Sequence, residues 1–348
     1  MRKALQQMSV VSESPLNAET PRLALQEKLT PNSLFYVRNH FDIPEAESDT
    51  WSLDVGGEVQ KAASFSLDDL KAFPQQSHIV VLECAGNGRI NLDPLVKGTT
   101  WGEGAIAQAE FTGLSLFHLL DLVGAAQNVI EVLFTGADSG KVRTGETSSY
   151  ARSLPLDFAK HPDILIAWEM NGQPLPPEHG FPLRLLVPKH YGMSSVKWLK
   201  RIDLLTEKFE GFFQTDDYVY MESEDQKDGT PVEEMRVRSL FASHEDSATL
   251  NAGKHQFSGI AWSGLGEVTQ VVLSTDAGET WQNAELQAAD GPYAWARWTH
   301  ELNLDEPGEH TLLLRATDSS GMQQPLEQYW NRGGYGNNIT QKLRLTVV

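Results

Sequence analysis

Short apolar runs separated by polar and turn residues dominate the first two thirds of the chain. The runs HIVVLE (78–83), VIEVLFTG (129–136) and LRLLVP (183–188) have the length and β-branched content of buried strands. Helix-like pieces lie between these runs. The region from about residue 35 to residue 205 is therefore predicted to form an irregular α+β domain.

One of the helix-like pieces is the segment TGLSLFHLLDLVG (112–124). Its apolar residues recur near helical spacing and predict an amphipathic helix: Leu114, Phe117, Leu120 and Leu122. Thr112 is a candidate N-cap. Gly124 is a candidate terminator because glycine often follows the last helical turn.

The pattern changes after about residue 230. Short strand-like runs separated by turn residues follow: FSGIAWSG, VTQVVLST, TWQNAEL, YAWARW, HTLLLRATD and LRLTVV. Between two of them, Asp276, Ala277 and Gly278 predict a hairpin turn, because Gly278 accepts a positive φ. Roughly seven strands over ~115 residues predict an all-β, immunoglobulin-like sandwich without its disulfide.

These patterns divide the chain into three parts. Residues 1–33 are polar and lack apolar periodicity, which predicts an extended arm over the surface and packed structure beginning near Phe35. We therefore predict an N-terminal arm over 1–34, an α+β domain over 35–230 and an immunoglobulin-like domain over 231–348.

Charge limits the classes of partner. The chain has 28 basic and 47 acidic residues, a formal net charge of −19, so its field repels phosphate backbones and anionic lipid headgroups. No stretch approaches the ~18 consecutive apolar residues of a membrane span. We expect no nucleic-acid partner and no membrane partner. A small anionic substrate would need arginines concentrated in a pocket, and a basic redox protein is a compatible electron partner.

Cysteine content and the N-terminal segment narrow the picture further. One cysteine, Cys84, excludes an intramolecular disulfide and a tetrahedral thiolate zinc site. The segment MRKALQQMSVVSESPLNAETPR has no twin arginine and no apolar core of roughly 7–15 residues. We expect a cytoplasmic protein, or a periplasmic one if the chain was trimmed.

The most informative segment is VVLECAGNGRINL (80–92), which places Cys84 at the end of an apolar strand. Gly86 and Gly88 allow a tight loop that leaves the sulfur at the strand end, and Arg89 follows. A guanidinium stabilises a thiolate, and one soft sulfur ligand leaves a metal's other positions open. From these residues alone, Cys84 is either a working thiolate or a small packing residue.

The string CAGNGR closely resembles the CAGNRR-type loop of sulfite oxidases and eukaryotic nitrate reductases. Other blocks follow in that family's order: FYVRNH (35–40), GADSG (136–140), HGFPLRLLVP (179–188), SSVKWLKRI (194–202) and PLEQYWNRGGYGNN (325–338). The resemblance implies a sulfite-oxidase-type mixed α+β molybdopterin domain followed by an immunoglobulin-like dimerisation domain. It also implies molybdenum on a pterin dithiolene, molybdopterin, with Cys84 as the protein ligand to the metal.

The same resemblance implies which residues bind the cofactor. They are Tyr36, Arg38, Asn39, His40, Cys84, Asp138, His179, Arg184, Ser195, Val196 and Lys197. His179 and Arg184 match a basic pair near the pterin phosphate, and the segment around Lys197 closes over it. A buried dianionic phosphate needs such cationic and backbone donors.

For the substrate, the resemblance implies that Arg38, Arg89 and Tyr218 are the catalytic residues of an anion pocket. Gly88 departs from the family, because many relatives carry arginine there. Phe111 stands where the pocket tryptophan usually lies, and a third pocket arginine has no secure match around PYAWARW (292–298). The substrate is therefore less well defined than the chemistry.

The implied function is a molybdenum-cofactor oxidoreductase that oxidises sulfite or a similar small oxyanion by oxygen-atom transfer. Such a protein would pass electrons to an external acceptor such as a c-type cytochrome, and it would form a homodimer. Two alternatives are open. One is a reductase of nitrate, a sulfoxide or an N-oxide, and the other is a non-catalytic partner-binding protein that retains the fold.

Overall fold

The N-terminal half contains short helices and many strands, and the computed structural model describes residues 7–223, 225–226 and 228–348. Its strands are β1 (Ser9–Glu13), β2 (Leu16–Glu19), β3 (Ser52–Gly57), β4 (Ala63–Ser66), β5 (Gln75–Glu83), β6 (Ile106–Ser115), β7 (Glu131–Lys141), β8 (Thr147–Pro155), β9 (Leu165–Met170), β10 (Gln173–Pro174), β11 (Arg184–Leu186), β12 (Leu199–Leu205), β13 (Val219–Tyr220) and β14 (Thr230–Pro231). The α-helices are α1 (Leu67–Lys71), α2 (Leu116–Val123), α3 (Leu156–Ala159) and α4 (Phe212–Thr215).

Two five-stranded sheets organise this half. One is mixed and runs β4-β3-β12-β7-β8, with β12 parallel to β3 and antiparallel to β7. The other runs β10-β9-β6-β5, with β11 paired to β9. Side chains from both sheets share one core, which includes Val132, Phe134, Ile166, Leu199 and Ile202. The strands predicted within 78–83 and 129–136 are confirmed as β5 and β7, whereas β11 covers three residues of the predicted 183–188 run.

Helix α2 begins later than the sequence predicted. Thr112 lies in β6, where its hydroxyl is 2.7 Å from the hydroxyl of Ser77 on β5, and the helix starts after Ser115. Gly124 ends the helix as predicted, with φ of 65° and its N–H bonded to Leu120 O at 3.0 Å. The buried residues are Leu116, Leu119, Leu120 and Val123, and Phe117 and Leu122 are exposed. Pairing of β6 with β5 and β9 outweighs the local helical period.

The prediction that packed structure begins only near Phe35 is wrong. Strands β1 and β2 form a hairpin, and Ala18 and Val37 exchange two backbone hydrogen bonds of 2.9 Å. Ala18 and Leu25 are buried. Asn17 Oδ1 accepts the backbone N–H of Asn39 at 2.9 Å. The polar composition of residues 1–33 gave no sign of this hairpin. Its bonds to Val37 and Asn39 hold the backbone of the predicted cofactor-binding segment.

The C-terminal half is a sandwich of two sheets. Its strands are β15 (Arg238–Phe241), β16 (Ala248–Leu250), β17 (Gly253–Trp262), β18 (Val268–Ser274), β19 (Gln282–Asn283), β20 (Glu285–Gln287), β21 (Ala296–Leu304), β22 (Gly308–Asp318) and β23 (Gln341–Val347). The sheets run β15-β17-β21-β20 and β16-β23-β22-β18-β19. Along β23, buried residues alternate with more exposed ones, as expected when one face meets a core. The predicted all-β sandwich is confirmed.

The predicted turn after β18 is also confirmed. Ala277 and Gly278 both have positive φ, 58° and 93°. The carboxylate of Asp276 accepts hydrogen bonds from Ser274 Oγ at 2.8 Å and from the backbone N–H of Thr280 at 2.9 Å, which stabilises this tight connection. Among the helices described, none is long and apolar enough to cross a bilayer.

Candidate active site

Cys84 follows the last residue of β5 and opens a tight turn. Its backbone N–H donates to Ala105 O at 2.9 Å, and the N–H of Asn87 donates to Cys84 O at 2.9 Å. Gly88, at φ of 80°, then turns the chain into the 3-10 turn Arg89–Asn91. The side chain of Cys84 is largely buried but lines two cavities, one on each side.

The inner cavity lies within the N-terminal half. It is lined by Phe35, Tyr36, Arg38, Asn39, His40, Leu82, Cys84, Ala85, Asp138, Tyr150, His179, Arg184, Gly192, Met193, Ser195, Lys197, Trp198 and Tyr218. The residues that the resemblance assigned to cofactor binding therefore meet here, apart from Val196. Val196 is buried in the core, and its carbonyl accepts the N–H of Leu185 at 2.8 Å.

Basic groups concentrate in this cavity. Lys197 Nζ donates to Glu178 O at 2.8 Å and to Asn39 Oδ1, and Arg184 donates to His179 O at 3.1 Å. Burial, followed by the nearby Arg184, lowers the pKa of Lys197 well below its ordinary value. Burial also lowers the pKa of Arg184 to about 10. An anion placed here would relieve this repulsion.

His179 and Asp138 respond to the same surroundings. Burial, then the positive charges of Lys197 and Arg184, lower the pKa of His179 to about 3, so its imidazole is neutral. Burial raises the pKa of Asp138 to about 6, although the charge of Lys197 opposes the shift. His179 Nε2 lies 3.2 Å from Asn32 O, which holds the ring at the cavity wall.

The outer cavity lies on the other side of Cys84, where the two halves of the chain meet. It is lined by Arg38, Cys84, Gly86, Arg89, Lys97, Gly98, Thr99, Trp101, Arg143, Asp216, Asp217, Tyr218, Val219, Arg332, Gly333 and Tyr335. Arg38, Cys84 and Tyr218 line both cavities. The three predicted catalytic residues therefore surround the space beside the sulfur.

Contacts from both halves fix Arg89. Its guanidinium donates to Thr99 O and to Gly333 O, both at 2.8 Å, and lies 5.3 Å from the ring centroid of Tyr335. Its Nε is buried without a hydrogen-bond partner among the described residues, and a Cβ added at Gly334 would lie 3.0 Å from it. Gly333 and Tyr335 belong to the C-terminal half, which therefore contributes to the anion pocket.

Tyr218 is held in an uncommon conformation. Its φ is 57°, in the left-handed region, and its hydroxyl lies 2.7 Å from His40 Nε2. Burial, then the positive charge of Arg38, lower the pKa of His40 well below its ordinary value. Burial raises the pKa of Tyr218, so its phenol keeps its proton. His40 thus fixes the hydroxyl that borders both cavities.

The structure corrects one expectation about the outer cavity and places an arginine that the sequence left unassigned. Among its described lining residues Phe111 is absent, because that ring packs against Phe35 in the interior, with the Arg184 guanidinium 5.5 Å from its centroid. Trp101 supplies an indole to the outer cavity instead. The arginine from the C-terminal half is Arg332. Arg297, within PYAWARW, binds Gln26 O at 2.6 Å on the surface.

Comparisons with known proteins agree with this geometry. Residues 40–213 match the family model of the oxidoreductase molybdopterin binding domain, and residues 230–347 match that of the Mo-co oxidoreductase dimerisation domain. Mitochondrial sulfite oxidase of Rattus norvegicus is 35% identical over 98% of this chain. The chain belongs to the sulfite oxidase family.

Other relatives of the chain show similar degrees of likeness. The sulfite oxidase of Gallus gallus is 35% identical over 94% of this chain and 75% of its own length, whereas the chain spans 66% of the rat protein, slightly under two thirds. The NADH nitrate reductase of Solanum lycopersicum is 32% identical over 97% of this chain and 41% of its own length. The structure of the sulfane dehydrogenase SoxCD from Paracoccus pantotrophus aligns with a TM-score of 0.86 and 27% identity, over 99% of this chain and 89% of that one.

The inner cavity fits the molybdopterin of this family. Arg184 Nε and Asp138 Oδ1 are both buried without a hydrogen-bond partner among the described residues. A buried orphan donor and a buried orphan acceptor are costly unless a ligand pairs them. A pterin offers N–H donors to Asp138, and a phosphate offers acceptors to Arg184 and Lys197. Cys84, the residue between the cavities, has the soft sulfur that suits molybdenum.

Sequence reasoning missed several residues of the outer cavity, namely Lys97, Trp101, Arg143, Arg332 and Tyr335. A signal existed for Arg332 and Tyr335, because both lie in the family-like block PLEQYWNRGGYGNN. For Arg143 there was none. It lies in the turn between β7 and β8, and its guanidinium reaches the cavity by packing on Phe212, 5.2 Å from the ring centroid.

Proposed function

We propose that this protein oxidises sulfite, or a closely similar small sulfur oxyanion, and passes the electrons to an external acceptor. The observation that carries the proposal is the position of Cys84 between a basic inner cavity and an arginine-lined outer cavity. The similarity to sulfite oxidases along nearly the whole chain supports the same substrate class.

Residues of the inner cavity would hold the cofactor. Cys84 would ligate molybdenum, Asp138 would accept a pterin N–H, and Arg184 with Lys197 would bind the phosphate. When bound, the molybdenum cofactor supplies two-electron oxygen-atom transfer chemistry. In the cofactor-free cavity the His179 ring is neutral and lies against Asn32 O, so it contributes no positive charge there.

Residues of the outer cavity would bind and orient the anion. Arg38 and Arg89 supply positive charge beside Cys84. Tyr218, fixed by His40, presents a protonated hydroxyl that can orient a substrate oxygen. Because these groups are set before the substrate arrives, they stabilise charge that develops during the reaction without first reorganising.

A steady-state assay tests the proposal. Protein purified from a host that makes the molybdenum cofactor should oxidise sulfite with ferricyanide or a c-type cytochrome as acceptor. Nitrate, a sulfoxide and an N-oxide should be reduced much more slowly with a reduced viologen donor. Faster reduction of any of these three than oxidation of sulfite would contradict the proposal and favour the reductase alternative.

We also propose that the protein is a homodimer assembled through its C-terminal half. The match of residues 230–347 to a dimerisation domain supports this assembly. Light scattering at micromolar concentration should give twice the chain mass of 38.6 kDa. A monomeric mass at that concentration would contradict the proposed dimer.

A further inference from the structure

A buried ion pair joins the two halves directly behind the cysteine. Glu83, the residue before Cys84, pairs with Arg238 of β15 across 3.1 Å between Oε1 and Nη1. The two side chains are 2% and 3% exposed, so neither charge is solvated by water. Arg238 Nη2 is also 3.6 Å from Glu103 Oε1, on the partly exposed side of the pair.

The carboxylate of Glu83 is fully engaged. Besides Arg238, it accepts hydrogen bonds from Asn87 Nδ2 at 3.0 Å and from Trp262 Nε1 at 2.9 Å. Asn87 belongs to the cysteine turn, and its Oδ1 accepts the N–H of Ala105 at 3.1 Å. Arg238 and Trp262 belong to the C-terminal half. Glu83 therefore connects the C-terminal half with the turn that carries the sulfur.

The C-terminal half also binds the backbone of this turn. Three of its donors bind carbonyl groups of the turn. Arg238 Nη1 donates to Asn87 O at 3.1 Å, Asn337 Nδ2 to Gly88 O at 2.7 Å, and the Gly336 N–H to Ala85 O at 2.8 Å. Within the turn itself, the Asn87 N–H donates to Cys84 O. Most of the restraint on the turn therefore comes from outside it.

Gly88 shows how closely Arg238 approaches. A Cβ atom at this position would lie 2.8 Å from Arg238 Nη2 and 3.3 Å from Nη1. The guanidinium of Arg238 therefore occupies the space beside Gly88. Arg238 of β15 thus adds a positive charge next to the cysteine turn, on the side of Gly88.

We propose that Glu83 and Arg238 are positioning residues for the Cys84 ligand, so that the C-terminal half orients the sulfur at the metal site as well as serving assembly. Neither residue lines the inner or the outer cavity as described. Both act through the turn of Cys84 to Gly88. The active-site geometry therefore depends on the second half of the chain.

Replacement of one or both partners of the Glu83–Arg238 ion pair tests this proposal. Removing one partner of a buried ion pair leaves an uncompensated charge, whereas replacing both partners by neutral groups is often tolerated. Arg238→Gln should therefore displace the turn, because Glu83 loses its cation and Asn87 O loses a donor. The double variant Glu83→Gln with Arg238→Gln should restore much of the arrangement. Such coupling between neighbours is what a double-mutant cycle measures.

The experiment compares the cofactor-loaded variants by thiolate-to-molybdenum charge-transfer absorption and by kcat and KM per molybdenum. Arg238→Gln should shift the absorption band and lower kcat about tenfold with KM nearly unchanged, and the double variant should recover most of both. Gln108→Leu is the matched control. It removes another buried bond between the halves, donated by the Trp295 N–H to Gln108 Oε1 at 2.7 Å, and should leave the band and kcat unchanged.

If Arg238→Gln keeps the wild-type charge-transfer band and kcat, the proposal is overturned. The ion pair would then serve only the stability of the fold. An equal loss in Gln108→Leu, or no recovery in the double variant, would do the same. If Arg238→Gln fails to accumulate, Glu83→Gln and the double variant carry the comparison. The absorption readout needs no substrate, so failure of sulfite as the substrate stays distinguishable from failure of this proposal.

Discussion

Cys84 is the residue on which the proposed chemistry depends. It is 6% exposed and lines both cavities. Cys84→Ser changes one atom, so the fold should survive with little change in melting temperature. Turnover of sulfite per bound molybdenum should be lost, because an alkoxide is a poorer match than a thiolate for this metal. Unchanged specific activity in the metal-loaded variant would contradict the ligand role.

Arg143 is expected to attract the substrate without taking part in the chemistry. Its side chain is exposed at the outer cavity, with Nη2 bonded to Asp216 O at 3.1 Å. Because the whole chain carries a charge of −19, approach of an anion depends on such local cations. Arg143→Gln should raise KM for sulfite several-fold, leave kcat nearly unchanged and weaken the dependence of kcat/KM on salt.

Lys141→Gln is the control for that prediction. Lys141 is an exposed cation at the end of the same hairpin strand but is not among the described residues that line the outer cavity. The control should change KM much less than Arg143→Gln. Equal changes in the two variants would mean that only the net charge of the hairpin matters.

Some functional residues could be predicted from the sequence because they lie in continuous blocks. Cys84, Arg38 and Lys197 each lie within a short family-like string, and the structure brings all three to the inner cavity. Arg143 and Trp101 could not be predicted, because tertiary packing alone brings them to the outer cavity. Phe111 was misplaced for a related reason, since strand pairing turns its side chain into the interior.

The turn after β5 is the element that carries Cys84, and its backbone and its packing on Arg238 favour glycine at position 88 in this chain. Gly88 has φ of 80°, and an added Cβ would meet the Arg238 guanidinium at 2.8 Å. Gly88→Ala should lower the free energy of unfolding by about 2–3 kcal/mol, from backbone strain and from the displaced cation. Equilibrium denaturation in urea measures this loss.

Gly145→Ala provides a matched control for the turn. Gly145 has a similar φ of 89°, and no atom of the described residues lies within 4 Å of the added Cβ. This variant should cost only about 1 kcal/mol, the backbone contribution alone. Equal costs at the two positions would show that contact with Arg238 does not limit the residue at position 88.

The sequence predicts elements well where hydrophobic pattern and pairing agree. β5 and β7 coincide with long apolar runs, and both have buried interiors. The hairpin β1 to β2 escaped prediction because backbone pairing and a few small buried residues stabilise it, rather than an apolar stripe. Before α2, the strand β6 continues to Ser115. The helix therefore begins later than predicted, and its buried face differs from the one that the helical period predicted.

At the scale of the whole molecule, the basic inner cavity makes stability depend on pH when the cofactor is missing. The buried His179 has a pKa of about 3 in the folded protein, below its ordinary value. Below about pH 6.5 the unfolded chain binds a proton that the folded chain does not. Stability should therefore fall as pH decreases from about 6.5 towards 3, by up to ~1.4 kcal/mol per pH unit from this residue.

Urea unfolding of cofactor-free protein between pH 5 and pH 6.5 measures this slope. His179→Gln should reduce the slope by about one proton, because glutamine does not titrate. An identical slope in the variant would contradict the buried, neutral state of His179.

The inner cavity is proposed to hold a molybdenum cofactor through Cys84. Metal analysis by mass spectrometry, combined with pterin fluorescence after oxidation, tests it without any assumption about the substrate. Protein from a host that makes the cofactor should contain about one molybdenum and one pterin per chain. Absence of both from folded protein produced in that host would contradict the account.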